Sequence, residues 1–262
     1  MEELSNIKNN VFLKIVIPCF NVGTSISKCL DSILSQKFND YVIILVDDQS
    51  TDNTADVISE YTKTHDNIKY IKVDEKRYAG GCRNAGYQYP IDSEYVWFMD
   101  GDDYLKDEFV FDAIYNAVSK KKPDVLFVGY EIHDREKTQT VKIENKAIDS
   151  YMYTHDCAPW TKIIRSDKMV LFAEHLKCNE DVLQHVLLID AIDTFDCLNK
   201  VCYVYFKEYK SKGARFQHMP LFMAIAFDYI FYKRMRRDIG YEAMKNKIYL
   251  AFDKMKKRLE NM

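Results

Sequence analysis

No apolar run in these 262 residues reaches the ~20 that a membrane-crossing helix needs, and the polar N-terminus has no apolar core of the kind a secretory leader carries. A cytoplasmic location is therefore expected. The seven cysteines are odd in number, form no Cys-x-x-Cys pair and fall partly inside apolar segments, so they read as reduced thiols packed as small hydrophobes, without zinc or disulfides. Internal repeats and low-complexity linkers are also missing. There is little excess charge of either sign, since the formal net charge is -3. That balance hides an asymmetry, because 14 Lys or Arg stand against 6 Asp or Glu from residue 207 onward. Length and pattern together predict one domain with a substantial core over 1–218 and a basic helical extension over 219–262.

What is present is most informative at residues 95–105, Tyr-Val-Trp-Phe-Met-Asp-Gly-Asp-Asp-Tyr-Leu, where an apolar strand runs into Asp100, Asp102 and Asp103. Carboxylates crowded at a strand end repel one another unless a cation compensates them, so an Asp-x-Asp here points to a divalent metal that holds a nucleotide's phosphates. An acidic turn, with Asp and Gly chosen for turn geometry, is the competing explanation.

The surroundings favour the metal. Residues 14–18 form a β-branched run stopped by Pro18, residues 42–46 form a second ending in Asp47 and Asp48, and residues 68–73 a third. Between them, Ile26, Cys29, Leu30, Ile33 and Leu34 recur at helical spacing behind Thr24 or Ser25 as caps, and residues 50–54 open another helix. Gly80-Gly81 begins a short helix leading to the Trp97 strand. Strands alternating with helices predict an α/β fold with a mostly parallel sheet covered on both faces, whose ligands bind at the carboxyl ends of the strands. Pro18, Asp47, Asp48, Asp100 and Asp102 all fall at such ends.

Four ordered segments carry a resemblance: Val16-Ile17-Pro18-Cys19-Phe20-Asn21, Val46-Asp47-Asp48-Gln49-Ser50-Thr51-Asp52, the Gly-Gly-x-Arg-Asn-x-Gly stretch at 80–86, and Met99-Asp100-Gly101-Asp102-Asp103. They resemble family 2 glycosyltransferases of the GT-A fold, a Rossmann-like mixed sheet. The likeness continues more loosely through Ala158-Pro159-Trp160-Thr161-Lys162 and Asn179-Glu180-Asp181 and fades after about residue 209. It implies an inverting, metal-dependent transferase that moves a sugar from a nucleoside diphosphate, a UDP-sugar foremost, to an acceptor hydroxyl, in synthesis of a surface glycan or another glycoconjugate.

In that framework Asp102 and Asp100 hold Mn²⁺ or Mg²⁺ against the donor diphosphate, with Gly101 in the same turn. Asp48, with Asp47, receives the base or ribose beside the loop that carries Pro18, Phe20 and Asn21. Two roles are open to Arg83, whose planar fork can bind phosphate or instead order the acidic cluster. The resemblance maps the family's base to Asp181, which would take the acceptor's proton; its place near a helix start also suits capping. Val182, His185, Val186 and Ile189 share one face of that helix. Trp160, Lys162 and Glu180 are expected on the acceptor side, although a core tryptophan is an equal reading of Trp160. Lys212 and Arg215 could clamp phosphate around Gly213, and His218 could add a metal ligand.

The apolar and basic patterns over 221–262 leave three readings: a cap on the core, a face toward an anionic membrane surface or lipid-linked acceptor at its inner side, or a homodimer contact. Two alternatives of other classes are carried forward, a silent nucleotide-sugar or glycan-binding module and a protein that transfers sugar to, or binds, modified bases in nucleic acid.

Overall fold

The computed structural model describes residues 10–134, 137–142, 157–174 and 180–207. Strands and helices alternate through the first half: β1 (Asn10–Cys19), α1 (Ile26–Leu34), β2 (Tyr41–Asp47), α2 (Thr54–Thr62), β3 (Ile68–Lys72), α3 (Tyr78–Tyr87) and β4 (Asp92–Phe98). There follow β5 (Tyr104–Leu105), α4 (Val110–Lys121), β6 (Val125–His133), β7 (Thr138–Val141), β8 (Lys162–Arg165), α5 (Glu180–Ala191) and β9 (Phe195–Phe206). One sheet collects the strands in the order β3-β2-β1-β4-β8-β6-β9-β5, with β7 paired to β6.

The first four strands in that order are parallel, as the alternating pattern predicts. Beyond them the sheet is mixed: β8 lies antiparallel between β4 and β6, β9 is parallel to β6, and β5 is antiparallel to β9. The acidic residues after β4 thus lie on the crossing from the middle of the sheet to its far edge at β5.

Side-chain alternation along the buried strands divides the core into two layers. Leu13, Ile15, Ile17, Ile43 and Leu45 face one side, packed with Ile26, Leu30 and Ile33 of α1, Ile58 of α2 and Phe111 and Ile114 of α4. Val16, Val42, Ile44, Val46, Val96 and Phe98 face the other, under Cys82 of α3, Leu188 and Ile189 of α5 and Ile192 just after it. Runs that are apolar at every position are explained by this double coverage. Five of the six described cysteines are buried, and burial with the nearby Asp48 carboxylate pushes the Cys82 thiol up to about 12.

The expected cap of α1 is corrected. Ser25 occupies the position before the helix but makes no side-chain cap bond; its hydroxyl donates to the carbonyls of Val22 (3.2 Å) and Gly101 (3.1 Å) and so ties α1 to the acidic turn. Among the described residues no helix is long and apolar enough to cross a membrane. The extension at 219–262, with its basic face, lies outside the described residues, as do Lys212, Arg215 and His218.

Candidate active site

Each carboxylate of the acidic turn has its own surroundings. Asp102 is exposed, and Asp100 is half-buried with Oδ1 2.9 Å from Nη2 of Arg83. Asp103 is buried: its Oδ2 accepts from the Tyr203 hydroxyl at 2.7 Å and its Oδ1 from the Phe206 N–H at 2.8 Å. Burial, then the charges of Asp100 and Asp102, pushes the Asp103 carboxyl up to about 9. The three acids that look equivalent in sequence therefore separate into two that reach solvent and one that anchors the turn to β9. Gly101 has a packing role in the turn. A Cβ there would lie 3.3 Å from both Ile26 Cδ1 and Val22 Cγ2, so the turn rests directly on the start of α1.

Arg83 resolves in favour of ordering the carboxylates. It is buried on α3, with Nη2 on Asp100 and Nη1 2.9 Å from Oε1 of Glu180 at the start of α5, and its guanidinium carbon lies 5.3 Å from the Phe172 ring centroid. Burial opposes the charge, but Asp100 and Glu180 outweigh it and hold the guanidinium protonated. Both terminal nitrogens engage these carboxylates, the second of the two roles open to Arg83. The same fork turns Oε1 of Glu180, expected on the acceptor side, toward Arg83.

The surrounding glycines allow this approach. A Cβ on Gly80 would come 3.0 Å from Glu180 Cγ and 3.2 Å from Phe172 Cβ, and one on Gly86 would collide with Val16 of β1. Asn84 pairs like a strand with the backbone of Phe172, donating to its carbonyl and accepting from its N–H, both at 2.9 Å. The Gly-Gly-x-Arg-Asn-x-Gly pattern is thus a packing code that seats α3 on the sheet and fastens the chain before α5 to it.

The neighbouring loops are held in unusual backbone. Among the described non-glycine residues four have positive φ, and Asn21 (54°), Gln49 (63°) and Tyr78 (57°) are three of them. Each is tied down: the Asn21 N–H donates to Ser50 Oγ at 3.0 Å, Gln49 Nε2 to the Asp74 carbonyl at 2.6 Å, and the Tyr78 N–H to Asp48 Oδ2 at 3.0 Å. Strained residues of this kind persist where surrounding structure over-determines them, often around a ligand. Pro18 is half-buried at the end of β1, and Phe20 just after it is 48% exposed with Lys76 Nζ 3.2 Å from its ring centroid. Lys76 also approaches Asp48 Oδ2 at 3.5 Å and was not foreseen, because a lone lysine in a polar loop has no pattern to mark it.

Asp47 is corrected. It is fully buried, accepts from the Ser50 N–H (2.8 Å) and the Tyr70 hydroxyl (2.7 Å), and serves the loop rather than a nucleotide. Asp48 is also buried, at 4% exposure. Its oxygens already accept the N–H groups of Arg77 (2.6 Å) and Tyr78 (3.0 Å), so a base or ribose there would share them.

Of the residues expected on the acceptor side, Lys162 is a core residue, a correction, and Trp160 takes the core position that was its equal reading. Trp160 stacks on Tyr203 with centroids 4.7 Å apart and planes at 4°, while Lys162 is fully buried with Nζ donating to the Ala158 carbonyl at 2.8 Å. Asp181 is half-buried in the first turn of α5, with Oδ1 accepting from the Val182 N–H at 2.8 Å, and its charge adds to the field on Arg83. The predicted inner face of this helix is buried at Val182, His185 and Ile189.

The donor set suits a hard divalent cation. Among the described residues no three His, Cys, Asp or Glu converge as a ready-made ion cage. Mg²⁺ is commonly held by one or two carboxylates together with substrate phosphates, and Mn²⁺ accepts the same oxygen ligands, which is what Asp102 and Asp100 offer. Asp103 does not join them, because both its oxygens are occupied by β9.

The sequence profile described as Glycosyl transferase family 2 matches residues 14–177. A poly(ribitol-phosphate) beta-glucosyltransferase of Bacillus spizizenii is 35% identical over 116 residues, which are 43% of this chain and 18% of that protein. The chain spans well under half the length of the curated relatives it matches. Among solved structures, Staphylococcus aureus TarS 1–349 in complex with UDP-GlcNAc superposes with a TM-score of 0.72 at 22% identity, covering 90% of this chain and 70% of that one. The mannosyltransferase PcManGT of Pyrobaculum calidifontis, in complex with GDP-Man and Mn²⁺, superposes with a TM-score of 0.59 at 13% identity, covering 92% and 69%. At these identities the likeness shows the GT-A fold.

Proposed function

The chain belongs to glycosyl transferase family 2, and from that premise we propose that it transfers a sugar from a nucleoside-diphosphate sugar, a UDP-sugar foremost, to an acceptor hydroxyl with inversion. The observation that carries the reading is the single guanidinium of Arg83, which joins Asp100 of the acidic turn to Glu180, the residue beside Asp181. In this reading the donor-phosphate and acceptor sides share one ion network.

In this reading Mn²⁺ or Mg²⁺ is held by Asp102 and Asp100, and when bound it supplies Lewis-acid stabilisation of the charge that grows on the departing diphosphate. Phe20 offers a half-exposed ring for a base, with Lys76 over the ring and paired to Asp48, so that the two can turn to phosphate and ribose oxygens. Asp181 accepts the proton of the attacking hydroxyl on the face opposite the leaving group, a contribution of ~10²–10⁴-fold in rate. Arg83 keeps the acidic turn and the base-bearing helix in fixed relation. A surface-glycan acceptor, on a polyol-phosphate or lipid carrier, is supported by the substrates named for the relatives.

The test is thermal stabilisation by UDP-, GDP- and dTDP-sugars with and without Mn²⁺, followed by NMR of the product's anomeric centre, since a ligand that binds only the native state raises its stability. A UDP-sugar shift that needs the cation and an inverted product are expected. Full turnover in excess EDTA after metal stripping, or retained configuration, would overturn the reading.

A further inference from the structure

β9 reaches the acidic turn through a residue that no motif marks. Tyr203 is fully buried, and its hydroxyl accepts from the Asp100 N–H at 3.1 Å while donating to Asp103 Oδ2 at 2.7 Å. One phenol oxygen therefore grips the first and the last residue of a four-residue turn, and the exposed Asp102 lies between the two grips. The ring is itself immobilised. Trp160 lies parallel to it at 4.7 Å, and Trp160 is held in turn by its carbonyl, which accepts from Trp97 Nε1 at 2.8 Å.

We infer that Tyr203 is a positioning residue for cation binding: it fixes the turn so that Asp100 and Asp102 present their oxygens to one point. It touches neither donor nor cation and acts through the Asp100 backbone and the Asp103 side chain. The inference rests on the proposed cation site at those two aspartates. A buried hydroxyl needs a partner, but one is enough. Tyr95 of β4 illustrates this, since it is equally buried and its hydroxyl is satisfied by the Pro123 carbonyl alone at 3.1 Å. Tyr203 instead spans two residues of a turn that crowds three carboxyl groups together. Without its hydroxyl the Asp100 N–H loses its acceptor and Asp103 loses one of its two tethers to β9, so the turn is free to spread.

Tyr95 supplies the control, because Tyr95→Phe removes a buried tyrosine hydroxyl far from the turn. Mn²⁺ binding is measured on the full chain by electron paramagnetic resonance of the free ion, alone and with UDP, for the parent, Tyr203→Phe, Tyr95→Phe and Asp103→Asn. Asp103→Asn serves as the second variant because it loses one acceptor oxygen while the aromatic stack is untouched. We expect Tyr203→Phe to bind Mn²⁺ about 10–100-fold more weakly, the range seen when groups supporting a metal ligand are removed, with Asp103→Asn weakened in the same direction and Tyr95→Phe like the parent. Parental Mn²⁺ affinity in Tyr203→Phe, or equal weakening in Tyr95→Phe, overturns the positioning role while leaving the cation site in place. A parent that binds no Mn²⁺, with or without UDP, overturns the cation reading itself and the inference with it.

Discussion

Replacing Arg83 by methionine strips the shared counter-ion from Asp100 and Glu180. The side chains are 6% exposed for Arg83, 11% for Glu180 and 32% for Asp100, so Asp100 can turn to water while Glu180 is left charged in the packing between α3 and α5. Breaking a buried pair by removing one partner costs about 3–5 kcal/mol, a large part of the ~5–15 kcal/mol that stabilises a typical domain. Most of that cost should reside on Glu180, because it is the more enclosed carboxylate. Urea unfolding of Arg83→Met, Glu180→Gln and the double variant separates the terms: the double should be more stable than Arg83→Met alone, with a coupling of about 0.5–3 kcal/mol. Transfer activity should not return with stability, since neither substitution restores the tie between the acidic turn and α5. Arg83→Lys should also fail to rescue, because a point ammonium cannot present two separated N–H donors in one plane. If Arg83→Met costs under about 1 kcal/mol, or Glu180→Gln brings no relief, the network contributes far less than a buried pair should and the reasoning is wrong.

Asp102→Asn should abolish cation-dependent donor binding while circular dichroism and urea stability stay near the parent, because the residue is exposed; unchanged donor affinity in Mn²⁺ would argue against Asp102 as a ligand. Asp181→Asn should keep donor affinity within a few-fold and lower turnover by about two orders of magnitude or more, which single-turnover kinetics would test directly. Gly86→Ala sets two effects against each other. The helical propensity gain is about 1 kcal/mol, but the new Cβ collides with Val16 and lies 3.1 Å from Val46 Cγ2, both buried and β-branched. Overpacking, at ~1–3 kcal/mol, should win and lower the urea midpoint. Asp124 is buried, with Oδ2 accepting from the N–H groups of Asp193 (2.6 Å) and Thr194 (2.9 Å) and Arg165 Nη2 2.8 Å from Oδ1. Burial alone would raise its carboxyl, but these backbone bonds and the Arg165 charge outweigh it and hold it below the ordinary 3.8. A depressed folded value means the stabilisation is present above about pH 4 and is lost as pH falls through that folded value. Asp124→Asn should therefore cost roughly 1.5–3 kcal/mol at neutral pH and progressively less in acid; a cost independent of pH would show that the charge is not what matters.

The sequence by itself determined the first half of the fold. Short double-sided apolar runs bounded by turn residues read as buried strands with helices on both faces, and the acids crowded at their ends pointed to a ligand edge. The order of motifs also identified the family. What it could not separate were residues of one type in one motif. Asp100, Asp102 and Asp103 read alike, as do Asp47 and Asp48, because their roles depend on partners up to 103 residues away: Tyr203 for Asp103, Tyr70 for Asp47, Arg83 and through it Glu180 for Asp100. Trp160 and Lys162 carried the appearance of an acceptor site and proved to be core for the same reason, since the β9 tyrosine that covers the tryptophan is brought in by sheet topology and not by proximity in the chain. Local pattern decides which segments fold against the sheet; whether a given carboxylate meets solvent, an arginine or a tyrosine is decided only when strands distant in sequence pack side by side.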